Sequence, residues 1–81
     1  SDSFDAWYLM GNLHAKKKSF DSAVNAFSKA LDIKPSHSKC LYKLGLVYGY
    51  TLQKKDLGKV YRKLKTVSPK LAQKLKNKFR K

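Results

Sequence analysis

The sequence predicts an all-α protein, an α-solenoid of antiparallel helix pairs with five helices in all. Apolar residues recur at helical spacing in successive windows, and no segment alternates with the period of two that a half-buried strand needs. Residues 6–35, "AWYLMGNLHAKKKSFDSAVNAFSKALDIKP", also have a counterpart of equal length and punctuation 34 residues further on. The chain of 81 residues is short enough that one thin core is all it can hold, so it reads as a single domain over residues 1–81.

The first helix runs from Phe4 to about Lys17, where Phe4, Trp7, Tyr8, Met10, Leu13 and Ala15 keep helical spacing and Ser3 is placed to cap the first turn. Ser19 stands before the second, in which Phe20, Ala23, Val24, Phe27, Ala30 and Leu31 form a broad apolar stripe. Pro35 ends that pattern, because the residue before a proline avoids the helical region. The link between the two spans about two to four residues, which makes them antiparallel neighbours.

Ser36 and Ser38 open the second unit, where Leu41, Leu44, Val47 and Tyr48 line one face of a third helix that ends near Thr51. A fourth carries Leu57, Val60, Tyr61, Leu64 and Val67, and its internal Gly58 costs about 1 kcal/mol relative to alanine. Ser68 and Pro69 read as N-cap and first residue of a fifth, with Leu71, Ala72, Leu75 and Phe79 on one side.

Laid over one another, the two units pair Trp7 with Leu41, Tyr8 with Tyr42, Met10 with Leu44, Gly11 with Gly45, His14 with Tyr48, Ala23 with Leu57, Phe27 with Tyr61, Ala30 with Leu64 and Pro35 with Pro69. Residue class recurs more than identity, and class is what packing selects. This pattern of large, small and aromatic positions, closed by proline, resembles the tetratricopeptide repeat family. Trp7, Met10, Gly11, Ala23, Phe27, Ala30 and Pro35 sit at its signature positions, as do Leu41, Leu44, Gly45, Tyr48, Tyr61 and Pro69 in the second unit. His14 stands where an aromatic is usual, and Leu57 and Leu64 exceed the alanine-like residues usual there. The resemblance implies one repeat over residues 4–37, a second over 38–69 and a basic capping helix over 69–81.

Independently of the family, Gly11 and Gly45 let two backbones approach, Ala23 and Ala30 relieve the other side, and Trp7 and Phe27 fill the space between. Trp7, Gly11, Phe27, Leu41, Gly45, Tyr61 and Leu75 are expected to be buried at successive junctions. Each pair leaves an apolar face that a neighbour must cover, which generates a solenoid. In the fifth helix Phe79 falls where Gly11 and Gly45 stood and no second helix follows, so Lys70, Lys74, Lys76, Lys78, Arg80 and Lys81 are expected to turn a charged face to solvent.

Charge is uneven. Residues 1–35 carry five Lys against four Asp, a net of +1, and residues 36–81 carry fourteen Lys and Arg against Asp56, a net of +13. The aspartates form no helical-face pair with a histidine, and His14, His37 and Cys40 have no metal-ligand spacing, so no catalytic residue, metal or cofactor is expected. His14 reads as a partly buried packing residue and Cys40 as a small, semi-exposed one. No apolar run approaches a membrane span, no segment reads as a secretory leader, and the single cysteine fits a reducing, cytoplasmic setting.

Binding is then the expected role. The resemblance implies a concave groove lined by the first helix of each unit, at Asp5, Tyr8, Leu9, Asn12 and Lys16, and at Lys39, Tyr42, Lys43, Leu46 and Tyr50. Tyr8 and Tyr42 supply amphipathic contact area at low entropic cost. Lys39 and Lys43 share one helical face and, with Asn12, resemble part of the carboxylate clamp by which some family members hold a peptide's C-terminus. The first-unit lysine of that clamp falls on Tyr8, and its second-unit asparagine falls on Lys43. An acidic protein or peptide is the expected partner, because clustered ammonium groups focus positive potential, and self-association is a further option. The alternative is a nucleic acid or anionic surface bound through the basic half, at Lys70, Lys74 and Lys78.

Overall fold

A computed structural model describes residues 3–79 as five helices, α1 (Phe4–Lys16), α2 (Phe20–Ile33), α3 (Ser38–Tyr50), α4 (Lys54–Val67) and α5 (Pro69–Phe79). Among the described residues there is no strand. Every boundary of α3 and α4 lies 34 residues after its counterpart in α1 and α2, from Phe4 to Ser38 through to Ile33 and Val67. The turns repeat as well. Lys18 (φ 63°) and Leu52 (φ 58°) both adopt the left-handed conformation. Around them the N–H of Ser19 donates to the carbonyl of His14 at 2.8 Å, and that of Gln53 to the carbonyl of Tyr48 at 2.9 Å. Each is the long bond of a Schellman motif, which satisfies helix-end carbonyls and reverses the chain tightly enough to bring the next helix back alongside.

Capping is more varied than the sequence suggests. Ser3 accepts from the N–H of Ala6, and Ser68 from that of Leu71, both at 3.4 Å. Ser19 occupies the N-cap position of α2 but makes no side-chain cap bond. The cap of α3 is neither Ser36 nor Ser38 but His37, whose Nδ1 accepts from the N–H of Cys40 at 3.2 Å. The His37 ring is held there by Phe4, 4.4 Å away between centroids.

The first pair packs as its small residues dictate. Ala23, Phe27 and Ala30 are fully buried, and a methyl group on Gly11 would lie 2.6 Å from the Phe27 ring. The second pair differs. A methyl group on Gly45 would meet Leu75 of α5 at 2.6 Å and Val60 of α4 at 3.3 Å, and one on Gly49 would collide with the Phe79 ring. The terminal helix therefore seats Leu75 and Phe79 on two α3 glycines, while α4 buries Val60 and Leu64 and leaves Leu57 and Tyr61 half-exposed. Leu64 is fully buried as Ala30 is, whereas Leu57 is half-buried where Ala23 is fully buried.

Several expectations on burial need correction. Gly11, Phe27, Leu41, Gly45 and Leu75 are buried, but Trp7 and Tyr61 are only half-buried. Met10 (46% exposed) and Leu13 (58%) face solvent, although the residues 34 further on, Leu44 and Val47, are buried. Helix α3 has neighbours on both sides, whereas no described element covers that face of α1. Cys40 is not semi-exposed: it is fully buried, and its Sγ–H donates to the carbonyl of Phe27 at 3.7 Å. Burial pushes its thiol up to about 12. His14 is half-buried. Arg80 and Lys81, expected on the charged face of α5, lie outside the described residues. Among the described residues no helix is long and apolar enough to cross a membrane.

Candidate partner-binding groove

The close approach of α1, α2 and α3 leaves a groove of about 350 Å³. From α1 come Asn12, Ala15 and Lys16, one turn apart and so on one face. Helix α3 contributes Lys43, Leu46, Val47 and Tyr50 by the same spacing. The floor is apolar, built by fully buried Phe27 and by Val47 (2% exposed). Two ammonium groups, one amide and a tyrosine hydroxyl thus surround a hydrophobic floor. Such an arrangement has the shape and chemistry to take an apolar side chain with cationic groups beside it.

Five of the residues expected to face a partner, Asn12, Lys16, Lys43, Leu46 and Tyr50, come together in this groove. Tyr8, Lys39 and Tyr42 do not line it. Tyr8 is half-buried in an aromatic cluster, stacked on Phe4 at 5.6 Å with Phe27 and His37 about its ring at 6.0 and 5.8 Å. Lys39 is exposed and is not among the lining residues. Tyr42 is half-buried beneath Lys74, whose Nζ lies 5.6 Å from the ring centre. Lys70, Lys74 and Lys78 of α5 are all exposed, and of these Lys74 reaches over a ring of α3. Asp5 and Leu9 are exposed on α1 and also lie off the groove.

Sequence reasoning missed Phe20, which walls the groove from α2 with its ring 6.3 Å from that of Tyr50. A large apolar residue at the first helical position after a tight turn was the available signal. Phe79 was also missed as a brace: its ring meets Tyr50 edge-on at 5.5 Å and 76°. The third omission was His37, although Ser3, the cap of α1, lies 34 residues before it.

Residues 4–37, the α1–α2 pair with its flanking turn, match the family model of the tetratricopeptide repeat. The matched segment, 34 of the 81 residues, is similar to a tetratricopeptide repeat. Repeats of this family mediate protein–protein interactions and are typically non-enzymatic. Comparison with curated proteins and with solved structures gives no match. The match covers the tighter of the two helix pairs, whose Ala23, Phe27 and Ala30 keep the repeat's small and aromatic positions. Among the described residues no group of three His, Cys, Asp or Glu side chains stands together as a metal site would require.

Proposed function

We propose that this chain is an interaction module that takes an acidic peptide segment of a partner protein in the groove between α1 and α3. The observation that carries this reading is the convergence of Asn12 and Lys16 with Lys43, Leu46 and Tyr50 on one apolar floor. Leu46 and the Tyr50 ring supply contact area, and Lys16 and Lys43 favour carboxylates while disfavouring basic competitors. Lys39 and the α5 lysines add long-range attraction, which raises the association rate more than the affinity.

The test is a titration of a labelled acidic peptide at two salt concentrations against three variants. Lys43→Glu and Tyr50→Ala should each weaken binding by about tenfold, and Lys70→Glu with Lys78→Glu should change mainly its salt dependence. Lys70, Lys74 and Lys78 recur every four residues along α5, so a phosphate backbone is the rival ligand. In that case the α5 pair would dominate, each lost contact would flatten the salt slope by about 1, and Tyr50→Ala would have little effect.

A further inference from the structure

Four glycines stand in helices of this chain, and three are explained by its own packing. Gly11 receives Phe27, Gly45 receives Leu75 and Gly49 receives Phe79. The fourth, Gly58, has among the described residues nothing beyond its own stretch of helix within 4 Å of where its Cβ would be. A glycine inside a helix costs about 1 kcal/mol against alanine, and at Gly58 no neighbour within the chain gives that cost a purpose.

Gly58 lines a second groove, of about 540 Å³, between α4 and α5. Leu57, Tyr61, Leu75 and Phe79 give it an apolar wall, and Lys54 and Lys76 stand among its lining residues. Leu57 and Tyr61 are half-exposed, and the glycine sites of α3 are filled chiefly by Leu75 and Phe79 of α5. The surroundings are cationic: Asp56 is the only acid in residues 36–81.

We propose that the α4–α5 groove is a second docking site, which takes one amphipathic helix of an acidic partner and seats an apolar side chain of that helix over Gly58. Phe27 on Gly11 and Leu75 on Gly45 are the same contact made within the chain. A helix side chain reaches bare backbone on its neighbour, and the two axes close up. Glutamates flanking the apolar stripe of the partner would meet Lys54 and Lys76 at the rim, where charge sets orientation and suppresses basic competitors. This site shares no lining residue with the groove between α1 and α3, so the two readings stand or fall separately.

The experiment uses the full chain and a labelled helical peptide of about 16 residues, with Leu and Phe on one face and Glu on the flanks, followed by fluorescence anisotropy. Gly58→Leu fills the notch and should weaken binding about tenfold or more, and Lys54→Glu with Lys76→Glu should do likewise. Because nothing opposes a side chain at this position, Gly58→Leu and Gly58→Ala should melt no lower than the parent chain. The Gly58→Ala variant, which adds a single methyl group, should bind between the two. Lys43→Glu should change the affinity less than about twofold, since it lies in the other groove. Undiminished binding by Gly58→Leu overturns the proposal, as does failure of the parent chain to prefer this peptide over one of the same composition with the stripe scrambled. It is equally overturned if dependence on Gly58 appears for a single-stranded oligonucleotide or a phosphatidylserine vesicle but not for the peptide.

Discussion

In the first helix pair the glycine of the leading helix is covered from within: Phe27 of α2 lies over Gly11, and Ala23, Phe27 and Ala30 are fully buried. In the second pair the equivalent Gly45 is covered chiefly by Leu75 of α5, and Gly49 by Phe79. Tyr61, which stands where Phe27 stood, is left half-exposed against a groove. A glycine site is thus filled by whichever apolar side chain reaches it best. In the second pair α5, with its larger side chains, outcompetes the pair's own second helix for these sites. Fully burying a leucine such as Leu75 stabilises by about 1.5–3 kcal/mol, enough to decide that competition.

The difference between the pairs can be broken by truncating the two equivalent aromatics. Phe27→Ala should cost about 3–5 kcal/mol in urea denaturation, a large part of the stability of so small a domain. Tyr61→Ala should cost less than about half of that, because its ring is already half in solvent. Equal losses would mean that the second pair is as closely packed as the first.

Alkaline pH probes the junction between the pairs, where Cys40 is buried against α2. Its thiol is raised in the folded state from an ordinary value of 9.0 to about 12 by burial, so the folded chain keeps a proton that the unfolded chain gives up. That contribution is fully present below about pH 9 and is lost as the pH rises towards 12. Tyr48, raised by burial and then by Asp56, acts in the same direction. The melting temperature should fall over this window, and less steeply in Cys40→Ala.

Gly45→Leu should destabilise by about 1–3 kcal/mol, since the new side chain meets Leu75 and Val60. A neutral melting curve for this variant would show that α5 does not press on α3. The smallest effect sharpens what the two pairs share. Lys18→Gly and Leu52→Gly each relieve a left-handed residue and should raise stability by up to about 1 kcal/mol, similarly in both pairs. A gain at one turn only would show that the turns are not equivalent.

The repeat period, the helix boundaries and the roles of Gly11, Phe27 and Leu75 were legible in the sequence because small and aromatic residues at fixed spacing admit few packings. The half-exposure of Leu57 and Tyr61 was not, since both keep the right class for burial while Leu75 and Phe79 of α5 take the places over Gly45 and Gly49. Met10 and Leu13 read as core for a related reason: their spacing is that of buried Leu44 and Val47, and no periodicity reports that a neighbouring helix covers one face and not the other. In the candidate site, the register of the family resemblance was enough to name Asn12, Lys16, Lys43, Leu46 and Tyr50, which line one groove. Phe20 enters from α2 and Lys74 folds back onto Tyr42, and such contacts between elements depend on helix rotation rather than on spacing.

The most direct test of the proposed function is an amide chemical-shift map of the full chain titrated with an acidic peptide. Binding in the groove between α1 and α3 predicts the largest shifts at Asn12, Lys16, Lys43, Leu46 and Tyr50, with smaller ones along α5. Shifts confined to Lys70, Lys74 and Lys78, with α1 and the groove face of α3 unmoved, would contradict it.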